Sequence, residues 1–229
     1  MNVQGYQKLT LLDFPGAVAC TVFTGGCNLR CPFCHNAGLV LTPNEEDSME
    51  KEVLTFLSRR KGLLEGVCVT GGEPLLQPDL EDFIRRVKEM GYRVKLDTNG
   101  SMPERLEALL ATGLIDYVAM DVKSSPKGYS KATGASIGSD VFEKSIRLLQ
   151  KSGVAHEFRT TAVKGIHTLE DFAEIGKWLA SDSPYFIQTF VDSHNLIGSG
   201  CDAFSESETR ALLDAVRPYL PLAQLRGQS

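Results

Sequence analysis

No stretch of this chain stays apolar for the length of a membrane crossing, no segment repeats, and no low-complexity tract divides it. Nor is there an excess of positive charge. The 24 Lys and Arg stand against 29 Asp and Glu, a formal net charge of −5. That removes the electrostatic footing for a broad nucleic-acid surface. No basic segment precedes the first apolar residues, and Asp13 and Pro15 interrupt them, an arrangement unlike a secretory signal. Cysteine is scarce and unevenly placed: Cys20, Cys68 and Cys201 are scattered, whereas Cys27, Cys31 and Cys34 are bunched. In a chain without export signals this favours metal binding over a disulfide framework, and a reducing cytoplasm as its location. What remains is 229 residues, 42% hydrophobic and 23% charged, ordinary for a soluble globular protein and enough to bury a sizeable core.

Short β-rich runs alternate with amphipathic stretches. Strands are expected at Ala17–Phe23, Gly66–Thr70, Arg93–Thr98, Tyr117–Asp121, Glu157–Val163 and Tyr185–Phe190. Helices are expected near Glu50–Lys61, Leu80–Met90, Pro103–Ala111, Val141–Ser152, Thr168–Leu179 and Glu206–Val216. Thr168 reads as a helix N-cap followed by the acids Glu170 and Asp171, and Gly91 and Gly113 as helix stops. The acidic run Glu45-Glu46-Asp47, with Glu50 and Glu52 nearby, reads as a solvated loop leading into a helix. A single domain over residues 1–229 is expected, with its core at about 15–192 and a final helix at about 205–217. Repeated strand–helix units argue for a parallel sheet with right-handed crossovers, either doubly wound or a partial (β/α) barrel. The unusual residues all fall just after strands, at 24–34, 71–74, 97–100 and 121–123, which favours the barrel.

Three thiolates within eight residues, Cys27 to Cys34, can converge on one metal centre and leave a coordination position open to substrate. A structural zinc with His35 as fourth ligand is the plainer alternative. Adjacent Cys34 and His35 are poorly placed to share one tetrahedral ion, so a cubane iron–sulfur cluster with one exposed iron is favoured. Gly71-Gly72-Glu73-Pro74 is at least a turn, yet a turn does not require the acid. Glycines let a ligand approach the backbone, and a carboxylate can pair with an ammonium group. Asp121-Val122-Lys123 is either a surface ion pair or two charges at a strand end, and Asp97-Thr98-Asn99-Gly100 carries a strong turn signal.

Together these pieces resemble radical S-adenosylmethionine (SAM) enzymes, and specifically the small activating enzymes of glycyl radical enzymes. Cys27-x3-Cys31-x2-Cys34, with Phe33 before the last cysteine, matches the cluster signature, and Gly71–Pro74 matches the methionine-binding loop. The segments Leu11–Gly16, Thr24–Cys27 and Cys34-His35-Asn36 are similar to activases of the anaerobic ribonucleotide reductase and pyruvate formate-lyase kinds, and residues 97–100 and 121–123 follow the same pattern. The resemblance runs over roughly residues 8 to 190. It implies a partial (β/α)6 TIM-type barrel and one [4Fe–4S] cluster, held by Cys27, Cys31 and Cys34, whose fourth iron binds SAM. It further implies Gly71, Gly72 and Glu73 at the methionine amino group, Phe33 at the adenine, and Thr98, Asp121 and Lys123 at the carboxylate end. A monovalent cation is implied at Asp97, Thr98 and Asp121, and Arg159 near the substrate.

Activases often carry a histidine near SAM on the strand corresponding to Tyr185–Phe190; here Gln188 or Thr189 are the polar candidates, and His194 follows in a loop. The implied reaction is reductive cleavage of SAM and hydrogen abstraction from a glycine of a partner enzyme, with flavodoxin or ferredoxin as electron donor. Neither nucleic acid nor membrane is expected as a partner. The loop from Ser124 to Gly138, with Lys127, Tyr129 and Lys131, is a candidate docking element. Two rival readings are a radical SAM enzyme acting on a small molecule, similar to 7-carboxy-7-deazaguanine synthase, and a non-enzymatic zinc or iron–sulfur protein.

Overall fold

The computed structural model describes residues 1–44 and 48–227; the run Glu45-Glu46-Asp47 lies outside the described residues. The chain falls into two compact units, residues 1–28, 38–98 and 104–119 in one and residues 29–37, 99–103 and 120–229 in the other.

The first unit contains β1 (Val3–Thr10), β2 (Ala19–Thr24), nearly all of α1 (Ala37–Leu41), α2 (Glu50–Ser58), β3 (Gly66–Gly71), α3 (Leu80–Glu89), β4 (Arg93–Thr98), most of α4 (Pro103–Ala111) and the start of β5 (Tyr117–Asp121). Its strands are hydrogen-bonded in chain order. β2, β3 and β4 run parallel, with Thr24 paired to Gly71 and Val69 to Leu96. That register brings the carboxyl ends of three strands to one level. Ala19–Val22 and Gly66–Val69 are buried without alternation, the pattern of strands covered on both faces. In α3, Leu80, Phe83, Ile84 and Val87 follow helical spacing and are all buried.

β1, which the sequence did not reveal, lies antiparallel along β2, with Val3 opposite Thr24. Beyond it, Phe14 is buried against the Tyr117 ring, 6.2 Å away, and over Gly66, where a Cβ would come within 2.7 Å of the Phe14 ring. The Leu11–Gly16 segment thus anchors the amino end of the sheet, with Asp13 accepting the Thr21 hydroxyl.

The second unit contains the end of β5, α5 (Tyr129–Thr133), α6 (Ser139–Ser152), β6 (Ala155–Ala162), α7 (Leu169–Leu179), β7 (Tyr185–Thr189), α8 (Glu206–Val216) and β8 (Ala223–Arg226). β6, β7 and β8 are parallel and again in chain order. Two helix starts are fixed by reciprocal capping boxes, Thr168 with Asp171 on α7 and Ser205 with Glu208 on α8. Arg226 on β8 makes a two-point ion pair with the buried Glu157 and lies 3.5 Å over the Phe186 ring, which secures the last strand. A doubly wound sheet reverses its strand order at a switch point. Here the order never reverses, so the winding is that of the barrel class, α/β with a helix returning the chain between parallel strands.

Candidate functional site

In the first unit the loop after β2 is Gly25-Gly26-Cys27, and it lies directly on the loop after β3. Gly72 donates its N–H to Thr24 O at 2.9 Å, and Glu73 donates its N–H to Gly26 O at 2.8 Å. A Cβ on Gly72 would sit 1.9 Å from Gly26 O, and one on Gly71, where φ is +118°, would sit 2.3 Å from Thr24 N. The two glycines are therefore needed by the backbone leading into Cys27, a third requirement beside the turn and the ligand approach that the sequence suggested. Glu73 is buried, and its Oε1 accepts the Leu75 N–H at 3.1 Å and the Thr98 hydroxyl at 2.9 Å. Gln77 donates its side-chain amide to Gly25 O. Glu73 and Thr98, 25 residues apart in the chain, are thus joined directly. Asp97 is paired with Lys95, which is 1% exposed.

In the second unit Cys31 is buried and Cys34 half-buried, and the Cys34 N–H closes a turn onto Cys31 O at 3.1 Å. The loop is pinned from two sides. Arg30 N–H donates to Thr133 O at 2.8 Å, and Gly198 N–H donates to Pro32 O at 2.9 Å. Phe33 is buried, edge-on to His167 at 6.0 Å. Asp121 accepts from Arg159 Nε at 2.9 Å and from Lys123 Nζ at 3.1 Å. Burial alone would raise the Asp121 carboxyl, but the charges and hydrogen bonds of Arg159 and Lys123 override it and hold the group well below the usual carboxylate range. Burial likewise opposes the Lys123 ammonium; Asp121, with added negative charge from Cys31 and Cys34, raises it instead. The Lys123 ammonium thus lies near two of the three cysteines.

His167 carried no sequence signal, yet it is buried in this unit. Its Nδ1 accepts the Val163 N–H at 3.1 Å, which assigns the proton to Nε2, donated to Lys123 O at 2.7 Å. Burial lowers its pKa from the ordinary histidine value. Tyr129 corrects one expectation. It is buried 4.0 Å from the Phe142 ring centre, and its hydroxyl accepts the Lys123 N–H at 3.2 Å. Tyr129 and Thr133 therefore make the inner part of the 124–138 segment a support for the cysteine loop, and only exposed positions such as Lys127 and Lys131 remain available for docking. Gln188 and Thr189 end β7 half-buried, and the Thr189 hydroxyl is buried without a hydrogen-bond partner. His194 is exposed.

Among the described residues no three His, Cys, Asp or Glu are gathered to hold a single metal ion. A cubane cluster takes one thiolate on each of three irons, so its ligands need not meet at one point. Three thiols are the donor chemistry a [4Fe–4S] cluster takes, and within the second unit Cys31 and Cys34 lie near the Lys123 ammonium. No helix of the described residues is long and apolar enough to cross a membrane.

Residues 21–179 match the Radical SAM superfamily, and the chain belongs to it. Within that superfamily it is a relative of the glycyl-radical-enzyme activating enzymes. It is 35% identical to "Putative glycyl-radical enzyme activating enzyme MJ1227" of Methanocaldococcus jannaschii, over 98% of this chain and 95% of that one. It is 31% identical to a pyruvate formate-lyase-activating enzyme of Clostridium pasteurianum, over 79% of this chain and 75% of that one. A 7-carboxy-7-deazaguanine synthase of Methanopyrus kandleri is 30% identical, over 74% of both chains.

Proposed function

We propose that this protein activates a glycyl radical enzyme of the anaerobic ribonucleotide reductase kind, taking a glycine of that partner as its substrate. When bound and reduced, the [4Fe–4S] cluster supplies the electron that cleaves SAM to methionine and a 5′-deoxyadenosyl radical. The rest falls to this chain's own residues. Cys27, Cys31 and Cys34 hold the cluster. Gly71, Gly72 and Glu73 bind the methionine amino group, with Glu73 oriented by Thr98 and by the Leu75 N–H. Phe33 packs on the adenine. Asp121 and Lys123 serve the carboxylate end, and Arg159 acts through Asp121, which it grips at 2.9 Å. Gln188 lines the substrate side. No general acid or base is required, because the radical does the bond-breaking; orientation and exclusion of other hydrogen donors are what the protein adds. Flavodoxin or ferredoxin supplies the electron.

One observation carries this reading over that of a small-molecule enzyme: likeness to an activating enzyme runs through 98% of the chain. The unmodified cysteine spacing and the Cys34-His35-Asn36 ending, with the His35 ring tilted 5.5 Å from that of Phe190, support it. The test is anaerobic. The protein is loaded with iron and sulfide, reduced with dithionite and given SAM, beside a Cys31→Ala control. Formation of 5′-deoxyadenosine only with intact Cys31 is expected. No cleavage by a fully loaded, SAM-binding protein would overturn the proposal.

A further inference from the structure

Each of β4 and β5 carries an aspartate at its carboxyl end near residues assigned to SAM: Asp97, one position before the terminal Thr98 of β4, and Asp121, which ends β5 two positions before Lys123. Carboxylates so placed attract a metal cation unless the protein supplies positive charge itself. In both units it does. Asp121 carries Arg159 and Lys123. Asp97 carries Lys95, whose Nζ donates to Asp97 Oδ1 and lies 3.8 Å from Cys68 Sγ.

Lys95 is the more telling residue. It is two positions before Asp97 on one strand, so both side chains leave the same face, and it pairs in register with Cys68 on β3. A lysine that is 1% exposed is heavily penalised by desolvation unless an opposite charge is in contact with it. Its Nζ meets Cys68 Sγ and Asp97 Oδ1, and of these two Asp97 carries the opposite charge. The charge is there for Asp97. The residues present therefore do not fit the monovalent cation that the family resemblance implies at Asp97, Thr98 and Asp121.

We propose that Lys95 is a built-in cation: a positioning residue whose ammonium stands where a sodium or potassium ion would neutralise Asp97, so that the wall of the SAM site is assembled without a monovalent metal. This rests on the assignment of that wall to SAM, and the test keeps the two apart. Thermal unfolding of the protein without its cluster is followed in potassium, sodium or tetramethylammonium chloride at matched ionic strength, tetramethylammonium being too large to enter the position. SAM binding by the cluster-loaded protein is measured in the same salts.

The wild-type protein should give one unfolding midpoint and one SAM affinity in all three. Lys95→Met, close in shape but uncharged, should unfold several degrees lower in tetramethylammonium, recover part of the loss in potassium or sodium, and bind SAM about tenfold more weakly until the metal ion is added, the scale of one lost charged contact. Lys95→Arg should remain indifferent to the salt. Wild-type dependence on potassium or sodium would overturn the proposal, and so would a Lys95→Met protein equally impaired in every salt, which marks a purely structural lysine. The wild-type salt series needs no variant, so a Lys95→Met chain that does not fold leaves the proposal open to refutation. If SAM fails to bind the loaded wild-type protein, it is the functional assignment that falls, while the midpoints without the cluster still decide the role of Lys95.

Discussion

Replacing Gly72 by alanine tests how closely the two loops of the first unit depend on each other. The new Cβ would lie 1.9 Å from Gly26 O and 2.6 Å from Gly26 C, both backbone atoms that no rotamer change can clear. Ordinary contact requires about 3.5 Å, so one loop must move by about 1.5 Å. The Glu73 N–H to Gly26 O bond, 2.8 Å in the native chain, does not survive that shift. A broken buried hydrogen bond costs about 1–3 kcal/mol and overpacking about as much again. The midpoint of that range, about 4 kcal/mol, corresponds to a fall of about 8–16 °C in Tm for a chain of this size. Because the displaced carbonyl belongs to the residue before Cys27, iron loading should fall as well. Gly38→Ala is the control, since a Cβ there meets nothing within 4 Å and lies in a helix, where alanine is favoured. The assay is thermal unfolding without cluster, followed by iron and sulfide content after anaerobic loading. A Gly72→Ala protein with the native midpoint and full iron content would refute the reasoning.

Two further substitutions probe the second unit through pH. Asp121→Asn leaves Lys123 and Arg159 facing each other and should cost about 2 kcal/mol at neutral pH; this is below the 3–5 kcal/mol of a fully buried pair because the three side chains are 28%, 19% and 12% exposed. The Asp121 carboxyl is depressed in the folded state, so its contribution is complete above the unfolded value near pH 4 (about 3.9 for Asp) and is lost as pH falls further. Urea midpoints should therefore show a constant gap to wild type from pH 8 to 5 and a narrowing gap below about pH 4; a gap that widens in acid contradicts the pairing. His167→Gln removes an imidazole held neutral by burial and two hydrogen bonds, a loss of about 1–2 kcal/mol at pH 7.5. The lowered histidine stabilises fully above its unfolded value, about 6.5, and progressively less below it, so wild type should lose stability between about pH 6.5 and 5 where the variant does not. Parallel pH curves would remove His167 from its proposed place.

The sequence revealed most where local chemistry repeats. β2 through β7 and the main helices α2–α4 and α6–α8 were legible because apolar periodicity and caps act over a few residues, as the Thr168–Asp171 box shows. β1 and β8 were not. Val-Gln-Gly-Tyr-Gln-Lys-Leu-Thr is largely half-buried or exposed and shows no alternation, and β8 is only four residues long. The cysteine triplet and the glycine loop announce themselves by spacing. What spacing cannot carry is the pairing of distant groups: Arg159 with Asp121 across 38 residues, or His167 with Lys123 across 44. Tyr129 was misread for the same reason, since a polar tip on a long loop looks exposed until Phe142 and Trp178 are folded around it. Lys95 could have been noticed, because Val-Lys-Leu-Asp places a lysine and an aspartate on one face of an otherwise apolar strand.

The central claim is that a glycine of a partner protein gives up its hydrogen atom, and isotope transfer tests it most directly. A candidate glycyl radical enzyme is expressed with α-deuterated glycine and incubated anaerobically with the reduced, cluster-loaded protein and SAM; the 5′-deoxyadenosine is then analysed by mass spectrometry alongside the electron paramagnetic resonance spectrum. The account predicts deuterium in 5′-deoxyadenosine together with a glycyl radical signal in the partner. Unlabelled 5′-deoxyadenosine with no radical signal in any candidate partner would contradict it.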